Sequence, residues 1–349
     1  MPDVARLRAG LIGLGSMGRH HARVLRSLEE VDLVGVLDSA RSEDASYHGL
    51  VSVESLNQLL SLGVDYCVVA VPTNLHEEIG LALANAGVHA LIEKPLGPDP
   101  VSAQQLAEAF ERAGLVGAVG HIERYNPALQ EARRRMAAGD LGRVHQIMTR
   151  RQSQFPERIA DVGVVKDLAT HDIDLTAWIA QQPFVSVAAR TAIRSGREHE
   201  DLVSVVGLLA DGTVTSHLVN WLSPFKERTV VVTGERGAFV ADTLTADLTF
   251  YANGMVPEAW DEVAMFRGVS EGDVTRFAIA KPEPLRVEHE NFRDAILGRP
   301  ANIVTMREGL ATVKVAESIL QSARLGVTVD IHEQDLPNLA NRNLPNETS

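Results

Sequence analysis

The chain has 349 residues, with 33 Lys and Arg against 46 Asp and Glu, and a formal net charge of −13. That length exceeds one typical core and predicts two domains. The acidic balance, unbroken by any basic block, argues against nucleic acid or an anionic membrane surface as a partner. The single cysteine, Cys67, lies in the apolar run 66–71 and is expected in a packed core. With no disulfide possible within the chain, no signal-peptide pattern and no apolar run of membrane length, a cytoplasmic protein is expected.

The first element is an apolar strand that runs into Gly13-Leu14-Gly15-Ser16-Met17-Gly18, followed by a helical pattern of Ala22, Val24, Leu25 and Leu28. Strand, glycine turn and helix in that order suit a pyrophosphate. Gly13 permits the turn and Gly15 lets backbone amides approach. Gly18 lets the helix pack closely on the strand, with its N-terminus towards the phosphates. A second strand, 33–37, ends in Asp38, twenty residues after Gly18. There a carboxylate holds the ribose hydroxyls of NAD and repels the 2′-phosphate of NADP, although Arg41 nearby leaves room for the latter.

Strand-like and helix-like segments keep alternating up to residue 122. They predict a helix near 55–60, a strand at 65–71, a helix over 75–85, a strand at 88–92, a helix over 101–113 and a sixth strand at 115–119. Such alternation predicts a doubly wound parallel sheet whose ligand sits beyond the carboxyl ends of the strands. The polar residues found there are Pro72, Thr73 and His76, then Glu93-Lys94-Pro95, then His121, Arg124 and Asn126. Lys94 could orient a substrate hydroxyl or share its proton, whereas His121, Arg124 and Asn126 could contact a polar ligand. Plainer structural roles fit the same residues: helix caps for Thr73, Asn74 and Asn126, a solvated ion pair for Glu93 and Lys94.

Past residue 122 the pattern changes to a helix at 127–138, an alternating strand from 144 to 152 and a helix from 166 to 181. Runs rich in β-branched residues follow, read as an antiparallel meander, with Asp211-Gly212 as a hairpin turn. Helices near 286–297 and 307–325 close the chain. The predicted fold is α/β plus α+β: an N-terminal Rossmann doubly wound parallel sheet over 1–122, and a mostly antiparallel open sheet with helices on one face over 123–332. A polar tail, 333–349, is expected to be mobile. Asp167 and His171 are spaced i, i+4 with Asp174 seven residues on, so a helix projects all three from one face. A carboxylate beside an imidazole suits removal of a hydroxyl proton near neutral pH. A surface ion pair has the same spacing, and a zinc site lacks a cysteine pair or a second nearby histidine.

Together, Gly13–Gly18, Pro72-Thr73 with His76, Glu93-Lys94-Pro95 and Asp167 with His171 resemble the two-domain sugar and polyol dehydrogenases that include glucose–fructose oxidoreductase and inositol dehydrogenase. The resemblance runs from about residue 7 to 331. It implies that Lys94 sits at the reactive carbon and that Asp167 and His171 form the acid/base pair. It further implies a cis Lys94–Pro95 bond, and Pro72, Thr73 and His76 at the nicotinamide end of the cofactor, with Glu93 beside it. Val71-Pro72-Thr73 departs from the Thr-Pro-Asn common in that family. A narrower likeness, to the branch assigned as UDP-N-acetylglucosamine 3-dehydrogenases, rests on 121–127, 167–174, Val219-Asn-Trp221-Leu-Ser-Pro224, Lys226, Arg228 and the 233–235 turn.

The expectation is therefore an NAD-dependent dehydrogenase of a sugar hydroxyl, with no metal in the site and NADP as a lesser alternative. Its substrate is expected to be a nucleotide-linked amino sugar, contacted by His121, Arg124, Asn126, Arg151 and Trp221. Arg150, Arg151, Arg158, Lys226 and Arg228 are the cations available to a diphosphate, and exposed charges flanking strands are the plainer reading of them. A free sugar or inositol is the rival substrate, and a non-catalytic NAD-binding regulator the rival class. Relatives associate through an exposed sheet face, which implies a homodimer or homotetramer.

Overall fold

The computed structural model describes residues 6–38, 50–156, 162–254 and 271–331. Arg41, Arg158 and the tail 333–349 lie outside the described residues. The chain separates into two compact units. Of the described residues, one unit holds those up to Ile122 together with Glu283–Lys314; the other holds those of Glu123–Pro282 and 315–331.

In the first unit, β1 (Leu7–Ile12), α1 (Ser16–Ser27), β2 (Val31–Leu37), β3 (Ser52–Val53), α2 (Leu56–Ser61), β4 (Tyr66–Val69), α3 (His76–Asn85), β5 (His89–Glu93), α4 (Pro100–Ala113) and β6 (Gly117–Gly120) follow in turn. The sheet is wholly parallel, in the order β3-β2-β1-β4-β5-β6, which is the doubly wound arrangement expected. Its strands are buried on both faces, so they read as apolar runs rather than alternating ones. Tyr66, Val68 and Leu91 pack on one face; Cys67, Val69, Ala90 and Ile92 pack on the other. Cys67 is the core residue foreseen, and burial pushes its thiol up to about 12.

The second unit contains α5 (Pro127–Ala137), β7 (Val144–Gln154), a π-helical turn at Val165–Ala169 and α6 (Thr170–Ala180). Then come β8 (Phe184–Ala192), β9 (Leu202–Leu209), β10 (Val214–Asn220), β11 (Leu222–Gly234), β12 (Gly237–Asp242), β13 (Asp247–Asn253) and β14 (Glu271–Arg276). The remaining elements are α7 (Pro284–Ile296), α8 (Met306–Leu325) and β15 (Val329–Asp330). The second sheet is ordered β14-β13-β12-β11-β7-β10-β9-β8-β15. Every pairing is antiparallel except that of β7 with β10. This corrects the plain meander. The hairpins β8–β9–β10 and β11 to β14 are local, but β7 is inserted between β10 and β11, a pairing that no turn motif encodes.

The domain boundary also needs correction. The fall from one periodicity to another at 122/123 coincides with the division between units, but Glu283–Lys314 does not belong with 123–332. Phe292 of α7 meets Tyr66 edge-on at 5.5 Å, and Val304, Met306, Leu310 and Val313 join the core formed by β4, β5 and α4. Val304 also accepts a hydrogen bond from Val119 N–H at 2.9 Å, extending the edge at β6. An amphipathic helix late in the chain announces that it packs, not on which sheet.

Candidate active site

In the first unit the chemistry-bearing residues gather at the carboxyl ends of the strands. Gly13 turns the chain with φ +93°, where a Cβ would stand 2.3 Å from the carbonyl oxygen of Ala70. A Cβ on Gly18 would stand 2.1 Å from the carbonyl oxygen of Gly13, so strand and helix approach through glycine alone. Gly15 differs: a Cβ there meets nothing within 4 Å, and Gly15 and Ser16 are exposed at the start of α1, which no side chain caps. The open loop and the N-terminus of a twelve-residue helix offer a dinucleotide phosphate its donors. At the end of β2, the Asp38 carboxylate accepts the Leu14 amide of this loop, which fixes an acidic group beside the cradle. These residues fit NAD.

Pro72 and Thr73 begin a 3-10 turn after β4, Pro72 exposed and Thr73 half-buried. His76 is a different kind of residue from the one expected. It is 1% exposed, with Nδ1 3.0 Å from the Pro95 carbonyl and Nε2 3.0 Å from the Val71 carbonyl. Burial holds it below the ordinary histidine range, against the two carbonyls. It is a strut between the loops after β4 and β5 rather than a lining residue.

Lys94 follows β5, half-buried, and its bond to Pro95 is cis. Glu93 points inward: Oε1 accepts from Nε2 of His21 at 2.8 Å, and Oε2 accepts the Lys94 amide at 3.1 Å. Burial works against its charge, but His21 and Lys94 outweigh burial and hold the carboxyl below its usual range. Gly120 gives it room, since a Cβ there would lie 3.1 Å from the Glu93 carboxyl carbon. His121, at the end of β6, is buried. Sequence reasoning did not single out His21, although a histidine among Ala22, Val24 and Leu25 on the apolar side of α1 was a visible signal.

In the second unit Asp167 sits in the π-helical turn and His171 in the first turn of α6, the first buried and the second half-buried. A π turn at this point is a common companion of functional residues and is invisible to 3.6-residue periodicity. Asp174, expected on the same face, is instead taken by Arg124, whose Nε and Nη2 donate to its two oxygens at 2.8 and 2.6 Å. Both partners are buried. Arg151 is 2% exposed and donates to Asp172 and Glu123, each at 2.9 Å. Burial opposes its charge, but those two carboxylates raise its pKa overall. Asn126 caps α5 through Ala128 N–H at 3.0 Å and donates to the Thr243 carbonyl at 2.9 Å. Arg124, Arg151 and Asn126 are thus committed to the interior of the unit.

Arg228 lies at the rim of this cluster, 3.3 Å from Glu123 and 29% exposed. Burial and Arg151 lower its pKa, while Glu123, Asp172 and Asp167 pull it back up, which places it in the field of Asp167. Lys226, exposed on the same strand, is lowered chiefly by the charge of Arg228. Two cations repelling each other at a surface suit a polyanion. Arg150 instead pairs with Glu227 at 3.1 Å. Trp221 is buried and stacks edge-on with Phe155 at 5.3 Å, with the Arg197 guanidinium over both rings.

Removing one member of a buried ion pair strands the other. Arg124→Met is expected to lower the unfolding free energy by about 3–5 kcal/mol in urea, and adding Asp174→Leu should recover most of that loss. A single-variant loss near zero contradicts this.

Residues 7–121 match the family model described as "Oxidoreductase family, NAD-binding Rossmann fold", and residues 129–240 match the GFO/IDH/MocA C-terminal domain. The chain is 30% identical to the UDP-N-acetylglucosamine 3-dehydrogenase of Acidithiobacillus ferrooxidans, over 90% of this chain and 96% of that protein. It is 28% identical to a myo-inositol dehydrogenase of Streptomyces leeuwenhoekii, over 92% and 98%. A solved structure of the A. ferrooxidans enzyme superposes with a TM-score of 0.79 at 27% identity, covering 92% of this chain and 98% of that one.

Proposed function

Because the chain belongs to the GFO/IDH/MocA oxidoreductase family and is an NAD-dependent dehydrogenase, we propose that it oxidises a sugar hydroxyl to a ketone, and that the group oxidised is the 3-hydroxyl of a UDP-linked N-acetylated amino sugar. The observation carrying the substrate is the 30% identity to a UDP-N-acetylglucosamine 3-dehydrogenase along nearly the full length of both chains. The Lys226 and Arg228 pair supports it by offering cations to a diphosphate. The full-length match to a myo-inositol dehydrogenase favours a free polyol as the second reading.

In the reaction, His171, oriented by Asp167, takes the hydroxyl proton. Lys94 hydrogen-bonds the same oxygen and stabilises the negative charge that develops there. NAD, when bound by Gly13–Gly18 and Asp38, supplies the hydride acceptor; alignment is the protein's contribution. His121 and Trp221 remain candidates for sugar contacts, Pro72 and Thr73 for the nicotinamide end. Arg124 and Arg151 are held by buried carboxylates and Asn126 by backbone groups.

Val206, Leu208, Val214 and Met148 expose apolar side chains on one face of β9, β10 and β7, a patch that a second copy would cover in a homodimer or homotetramer.

The test is NADH formation with UDP-N-acetylglucosamine, free N-acetylglucosamine and myo-inositol. The proposal expects kcat/KM for the nucleotide sugar to exceed the others by at least about 100-fold, because remote binding energy at the diphosphate is used at the reacting carbon. A preference for inositol establishes the second reading.

A further inference from the structure

The helical run that carries Asp167 and His171 begins without a cap of its own. Its first turn is closed by the Asp167 amide, which donates to the Gly163 carbonyl at 3.1 Å. The amides of Val164 and Val165 precede that bond, so the helix itself offers them no partner, and both residues are buried. A single residue, 35 positions beyond Val165, satisfies them both. Glu200 accepts the Val164 amide through its backbone carbonyl at 2.9 Å and the Val165 amide through carboxylate Oε1 at 3.1 Å. Gly163 shows why the cap comes from so far away. A Cβ there would stand 2.0 Å from Oε1 of Glu200, so the carboxylate fills the space that a serine or aspartate at the head of a helix would use for its own side chain. An anion at that end also lies favourably against the helix dipole.

Glu200 is itself held in place. It lies at the end of the loop joining β8 to β9, next to Asp201, which is 1% exposed. The Asp201 carboxylate accepts the amides of Arg194 and Ser195 at 2.8 and 2.6 Å. Its own amide donates to the Ala192 carbonyl at 3.0 Å, and its carbonyl accepts the backbone N–H of Trp221 at 2.9 Å. The loop is thereby closed on itself and tied to the chain between β10 and β11. A local side chain would cap the helix equally well. A glutamate brought from another loop also fixes where the turn stands on the sheet. We infer that Glu200 is a positioning residue for the reaction: by capping the turn just ahead of Asp167 and His171, it holds both at the place from which they act. The inference rests on the proposed roles of Asp167 and His171 and adds to them the tether that sets their position.

The experiment compares Glu200→Ala, Glu200→Gln and Gly163→Ala in the full chain. The side-chain carbonyl of glutamine can accept the Val165 amide; alanine cannot, and a methyl on Gly163 drives the carboxylate out. The first readout needs no substrate: amide hydrogen exchange over residues 163–171, followed by mass spectrometry. In Glu200→Ala it is expected to quicken at least about threefold, and in Glu200→Gln to stay within about twofold of wild type. With the substrate that the enzyme oxidises, kcat of Glu200→Ala falls at least about tenfold, because a displaced base loses rate rather than ground-state binding. KM and NAD affinity stay within about twofold of wild type. Glu200→Gln keeps kcat within about threefold. Gly163→Ala loses kcat as Glu200→Ala does, and it decides the matter should Glu200→Ala fail to fold. A residue that merely stabilises the fold costs rate in any background. Glu200→Ala added to His171→Ala should instead cost less than about threefold more, since the group it places is already gone. Unchanged exchange or kcat in a folded Glu200→Ala, no rescue by glutamine, or losses that multiply in the combined variant overturns the inference. Should exchange respond as stated while no sugar or polyol is oxidised by the wild type, the tether stands and the proposed function is what fails.

Discussion

Lys94→Ala is expected to lower kcat by about 10³–10⁴-fold while NAD affinity changes less than about threefold. The ammonium is the group proposed to carry the charge that appears on the substrate oxygen as its proton leaves, and such stabilisation matters most in the transition state. A loss of that kind appears in kcat and kcat/KM together, with little change in ground-state binding. The backbone around Lys94 does not depend on its side chain: β5 is fixed by pairing with β4 and β6, and the turn by Glu93, His21 and His76. Titrating NAD by fluorescence and measuring NADH formation on the same preparation separates binding from chemistry. A fully active variant removes Lys94 from the mechanism.

His171→Ala is expected to lower kcat/KM by about 10²–10⁴-fold, the usual worth of a positioned general base. Added imidazole should restore part of the activity by occupying the space left, and that recovery is measured as a saturable rise in rate. Asp167→Asn keeps the shape and removes the charge that orients the ring, so a smaller loss of the same kind follows. A catalytic role predicts no large change in unfolding midpoint for His171→Ala, because the residue is half-buried in the first turn of α6. A large drop in stability with unimpaired turnover by the remaining folded fraction points to a structural residue instead.

The first unit was legible in the sequence because its information is local. A glycine turn that must accept a positive φ at Gly13, an open loop at Gly15 and an acidic residue at the end of the next strand are written in neighbouring residues. Alternation of strand and helix then fixes a parallel sheet. The second unit was less legible because its decisive features are long-range. The insertion of β7 between β10 and β11 depends on pairings that no hairpin announces. The commitment of Arg124 to Asp174, and of Arg151 to Asp172 and Glu123, joins residues far apart in sequence. Polar residues near a predicted site look alike in sequence whether they face a ligand or a buried counter-ion. His76 shows the same ambiguity from within a motif: it lies where the family likeness places a functional residue, yet its ring bridges two loops.

The account stands on Lys94 and His171 serving one oxygen in one step. The direct measurement is a double-mutant cycle on the first turnover of NADH formation, using wild type, Lys94→Ala, His171→Ala and the combined variant. Groups that act as a unit give losses that do not multiply, so the combined variant should run within about threefold of the slower single variant. Losses that multiply in full, or a combined variant as fast as wild type, would contradict it.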